Sequence, residues 1–187
     1  MVHSIYGLPV WALVVCWANS GAFPFMGETP VIWAVAWFGL ICVTSLGARL
    51  VERAYRRDRN ATATFDPMRW VPRCLAALTA LSAAWGSLCW FFWVSGNASN
   101  HLILTILVLA GVMNGMVARM SWFESYLAGA GASFLILWTR CVTADSDATA
   151  LVSTILPVIF LVLTLSVRTA SRQIEKNIAA QIENEWL

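Results

Sequence analysis

The side chains in this sequence that could do chemistry are few: two histidines, five cysteines and ten carboxylates among 187 residues. A metal site draws three or four such groups from short spacings such as Cys-x-x-Cys, so that they can converge on one ion. Here Cys16, Cys42, Cys74, Cys89 and Cys141 are scattered through apolar segments with no close pair. Cys74 and Cys89 fall on one predicted helix, about 22 Å apart at 1.5 Å per residue, too far to share a ligand. His3 and His101 are expected at opposite ends of the molecule. No HExxH, GxSxG or GxxxxGK pattern occurs, so the usual signatures of metalloprotease, hydrolase and nucleotide sites are missing. The sequence predicts no catalytic residues, no metal and no cofactor, and the chain is not expected to be an enzyme.

The elements that would position any such group are set by composition. The chain is 59% hydrophobic and 12% charged, with mean hydropathy +0.70. Soluble domains run near 45–50% apolar and about 25% charged, which excludes a soluble enzyme domain. A net charge of +2 does not suggest a nucleic-acid partner. Apolar runs at Val2–Ala22, Pro30–Leu50, Pro72–Val94, Leu102–Arg119, Phe123–Val142 and Leu151–Val167 each approach the roughly 20 residues that cross a bilayer. The expectation is an all-α polytopic membrane bundle of six transmembrane helices, its last helix extending into the cytoplasm. The lipid bilayer is then its first partner. No acidic residue falls at mid-span, which counts against proton-coupled transport or ion pumping.

Orientation follows from lysine and arginine, which resist translocation. The loop after the second span holds Arg49, Arg53, Arg56, Arg57, Arg59, Arg69 and Arg73; Arg119 lies in the turn after the fourth span; Arg168, Arg172 and Lys176 lie in the tail. Only Arg140 falls on the other side, near Asp145 and Asp147, so both termini are expected in the cytoplasm. Of the eleven tryptophans, most fall near span ends, where indole prefers the membrane interface. Trp11 and Trp85 are left near mid-membrane and are read as core packing. Small residues four apart (Ser82 and Gly86; Gly111 and Gly115; Ser125, Gly129 and Ser133) predict close packing among the third to fifth spans, with the Gly111-x-x-x-Gly115 face serving the bundle or a homodimer seam. Asn114 on that face bonds a neighbouring helix or a ligand.

From Pro157 to Leu187 there is no further proline and no glycine, so the last helix can leave the membrane unbroken through Ile174, Ile178 and Ile182. Pro157 itself is a candidate hinge, because it lacks the amide donor and its ring crowds the preceding turn. Together, Arg69-Trp70-x-x-Arg73 leading into Ala84-Trp85-Gly86, a glycine- and alanine-rich fourth span, this proline, and a tail ending Ile182-Glu183-Asn184-Glu185-Trp186-Leu187 resemble the N-terminal membrane input region of bacterial sensor histidine kinases and diguanylate cyclases. The resemblance covers roughly residues 69–187. It implies a six-helix sensor domain over residues 1–168 in the bacterial cytoplasmic membrane and a helical linker over 169–187. Its partner would be a cytoplasmic output domain or partner kinase or cyclase.

On this reading Trp85, Trp90 and Asn114 would line a ligand cavity, with Pro157 as hinge and Ile174, Ile178 and Ile182 as the transmitting face. A second reading is a small permease or channel for an uncharged solute with Trp85 and Asn114 along its path. Carriers of that kind often contain an internal repeat, and the two halves here share no spacing. A purely structural subunit is a third.

Overall fold

The computed structural model describes residues 31–61, 65–119, 122–144 and 147–185, without the side chains at a few segment ends. The expected first span, with His3, Trp11, Cys16, Trp17 and Asn19, lies outside the described residues, as do Glu28 and Asp145. Among the described residues every element is helical: α1 (Val31–Ala61), a 3-10 turn (Pro67–Arg69), α2 (Val71–Gly86), α3 (Leu88–Phe91), α4 (Ala98–Arg119), α5 (Phe123–Val142) and α6 (Asp147–Glu185).

Four stretches are long and apolar enough to cross a membrane: Ile32–Ala61, Pro67–Phe91, Ala98–Gly115 and Thr149–Glu183. The six expected spans thus reduce to four within the described residues. The first is not described, and the fifth, α5, does not reach this level of apolarity. The physical reason for α5 lies in its position. It packs against α2, α4 and α6, with α2 the most extensive neighbour, so protein covers much of it while Leu127, Leu135 and Val142 stay exposed. Its buried face accordingly carries Ser125, Gly129, Ala130 and Ser133, with charged Glu124 and Arg140 near the two ends.

Two further differences from the sequence reading have local causes. The arginine-rich segment after the second span is helical to Ala61 rather than a loop. It is rich in arginine, with alanine, leucine and glutamate beside it, all of which favour helix, and Glu52 pairs with Arg56 one turn on at 2.6 Å. The third span is interrupted: α2 ends at Gly86, Ser87 intervenes and α3 follows. The Trp37 indole and the Ser87 hydroxyl both donate to the Ala84 carbonyl at that break, at 3.0 and 2.7 Å.

The small-residue stripes do the packing their spacing predicts. A Cβ at Gly86 would lie 2.8 Å from the Ser133 Cα and 3.0 Å from its carbonyl oxygen, so the α2 and α5 backbones meet there. The Ser133 hydroxyl adds a 2.6 Å bond to the Ser82 carbonyl. Gly111 plays a different part from the one its motif suggests, because the Trp85 indole occupies the space a Cβ would need. Adding a methyl at either position overpacks the bundle, with an expected loss of about 1–3 kcal/mol. Thermal unfolding in detergent should show Gly111→Ala relieved in a Trp85→Leu background. Gly86→Ala should not be relieved there, since its obstacle is backbone.

Candidate functional site

At the end of the bundle where α3 meets α4, Asn97 and Asn100 organise the turn. The Asn97 side-chain oxygen accepts from the Asn100 amide at 3.0 Å. Asn100 is buried, accepts from the Val94 amide at 3.0 Å and donates to the Phe92 carbonyl at 3.2 Å. One residue on, His101 is also buried, and its Nε2 lies 2.8 Å from the Val94 carbonyl. Its ring stacks on Trp93 with centroids 4.0 Å apart and planes 15° from parallel.

Arg140, near the end of α5, completes a column. Its guanidinium lies 4.9 Å from the Trp93 ring centroid and 5.2 Å from that of Trp90. Cation–π contacts of this kind contribute about 0.5–2 kcal/mol, more as water is excluded. The expected partners of Arg140, Asp145 and the Asp147 side chain, lie outside the described residues; among those described, two indoles hold it. Among the described residues neither the Arg140 Nε nor the His101 Nδ1, both buried, has a hydrogen-bond partner. An imidazole and a guanidinium therefore share one indole, and the arrangement joins α3, α4 and α5.

Two residues before Arg140 on α5, Trp138 connects this column to the last helix. Its indole donates at 3.0 Å to the Ser153 carbonyl. That carbonyl stands four residues before Pro157, so it is the one that proline's missing amide leaves without its helical donor. In lipid such a group must be satisfied by a neighbour, and Trp138 does so. Deeper along the same interface Phe134 and Phe160 stack at 4.4 Å, and Tyr126 and Val167 are fully buried in one cluster.

The residues singled out from sequence are not gathered into one chamber. Trp85 is half-buried over Gly111, and among the described residues its indole nitrogen has no partner. Trp90 is 52% exposed and donates to the Ile136 carbonyl at 3.3 Å. Asn114 is exposed on α4. Pro157 lies inside α6, which continues past it; Ile174 is half-buried, and Ile178 and Ile182 are exposed. Sequence reasoning passed over His101, Asn100, Trp93 and Trp138. Available signals were the isolation of Arg140 from every other positive charge and the spacing of Ser153 four before Pro157.

Among the described residues no group of three or more His, Cys, Asp and Glu could hold a metal ion. No family model, curated protein or solved structure matches this chain.

Asn100 supports the whole turn, and Asn100→Ala strands the Val94 amide and the Phe92 carbonyl. Each buried group left unsatisfied costs about 1–3 kcal/mol, so the variant should unfold at a clearly lower temperature, while Asn97→Ala, which removes one cap bond at the start of α4, should cost less, about 0.5–2 kcal/mol.

Proposed function

We propose that this protein is the sensory input module of a bacterial signal-transduction protein in the cytoplasmic membrane. It would pass a change in bundle packing through α6 to a cytoplasmic kinase or cyclase output domain, on the same chain or a partner. The observation that carries this reading is the single 39-residue helix α6: its first half packs on α5, and its second half leaves Ile178 and Ile182 exposed. The charge asymmetry supports both termini on the cytoplasmic side. With the first apolar run and α5 counted, six spans remain the architecture we favour.

The route we infer starts at the Trp90–Arg140–Trp93–His101 column, which a bound ligand would alter. It passes along the end of α5 to Trp138, and from there to the Ser153 carbonyl opposite Pro157, where α6 is moved as one body. A stimulus can shift such an equilibrium only by the difference in its affinity for the two packings. Trp138 is thus a positioning residue, and Ile174, Ile178 and Ile182 form the face that presents the shift to the output domain.

Residues 1–187 joined to a diguanylate cyclase domain test this. Inserting one to four residues after Arg172 turns the distal helix by about 100° each, so output should vary with insertion phase. Trp138→Phe, which keeps an aromatic ring and removes the donor, should shift basal output severalfold without loss of expression. Output indifferent to every insertion and to Trp138→Phe would refute transmission through α6.

A further inference from the structure

A groove of about 790 Å³ runs between α1 and α2 at the arginine-bearing end of the bundle, with Trp122 and Ser125 from the start of α5 contributing. Cavities of about 300–1,000 Å³ with mostly apolar walls and a few placed polar groups are the usual form of a ligand site. Here the apolar wall is supplied by residues such as Ala77, Leu78 and Leu81 of α2, within a stretch able to span a membrane. The charged groups come from α1, where Arg49 and Arg53 stand one helical turn apart.

Charge and depth are therefore graded along one groove. The carboxylate among the lining residues, Glu52, is already paired with Arg56. Trp70, also in the lining, is 7% exposed; it donates to Asp58 at 2.9 Å and carries the Arg73 guanidinium 4.8 Å from its ring centroid. Trp70 is thus fixed from two sides, and a third cation stands beside the groove. Basic recesses between spanning helices at a membrane surface suit phosphate headgroups, while an apolar cleft continuous with a span suits an acyl chain.

We propose that this groove binds one anionic glycerophospholipid, its phosphate on Arg49 and Arg53 and an acyl chain along the α1–α2 seam. Because α1 forms one wall and α2 the other, the occupant sets the separation of α1 from the rest of the bundle. The proposal rests on the chain lying in a bilayer, and it does not depend on any output domain.

Native mass spectrometry of the purified full chain, titrated with phosphatidylglycerol or with phosphatidylcholine of the same acyl chains, tests it. One phosphatidylglycerol should be retained about tenfold more tightly than phosphatidylcholine. Glycerol 3-phosphate and inorganic phosphate, which lack the chain, should neither bind nor displace it. Arg49→Gln with Arg53→Gln should lower retention about tenfold or more, whereas Arg168→Gln with Arg172→Gln, the same charge removed from α6, should not. Leu78→Trp, which fills the apolar part, should weaken both lipids. Equal retention of the two lipids, displacement by free phosphate, or equal loss in the two arginine pairs would overturn the proposal. Far-UV circular dichroism matching the parent chain confirms that each variant compared is folded, and if the glutamine pair is not, Arg49→Lys with Arg53→Lys takes its place and should retain the preference.

Discussion

The architecture depends on one recurring interaction, the donation of a tryptophan indole N–H to an acceptor on another segment. Trp37 of α1 donates to the Ala84 carbonyl, Trp90 to Ile136 of α5, Trp138 to Ser153 of α6, and Trp70 to Asp58. In lipid the hydrophobic effect does not press helices together, so packing and inter-helix hydrogen bonds must, each bond contributing about 0.6–2 kcal/mol. Indole suits this because its large ring fills space while its single donor fixes register. Two of the carbonyls served lie at disturbed points of their helices, Ala84 at the α2–α3 break and Ser153 opposite Pro157.

Around these ties α5 acts as the hub. Its backbone meets α2 at Gly86 and Ser133, its Trp138 and Phe134 meet α6, and its Arg140 enters the aromatic column. By contrast α6 leans almost wholly on α5. A rearrangement of α2, α3 or α4 therefore reaches the last helix mainly through one neighbour. That arrangement gives the Trp138 contact its importance, because it joins the hub to the helix at the point where the latter has lost a bond of its own.

Much of the bundle could be read from residue types. The limits of α5 at Phe123 and Val142 follow from the apolar run, and the stripe from Ser125 to Ser133 announces a close neighbour. Trp37 and Trp93 fall in the outer halves of their apolar runs, where indole prefers the lipid interface, yet they are buried in the core, because position along a span says nothing about which way a ring faces. The helical extension of α1 was hidden for a related reason: a run of arginines reads as a polar loop, although its residues are good helix formers. The column of Trp90, Arg140, Trp93 and His101 joins segments up to 50 residues apart, and no local pattern encodes such a meeting.

The central claim is that α6 runs as one stiff helix past Pro157 and out of the bundle. Pulsed electron resonance between spin labels at Thr154 and Asn177, both exposed, in an otherwise cysteine-free chain in lipid nanodiscs measures this directly. An unbroken helix over that interval predicts a narrow distribution centred at about 35 Å. A broad distribution, or one centred many ångströms shorter, would show a break at the proline or where the helix leaves the bundle, and would contradict the account.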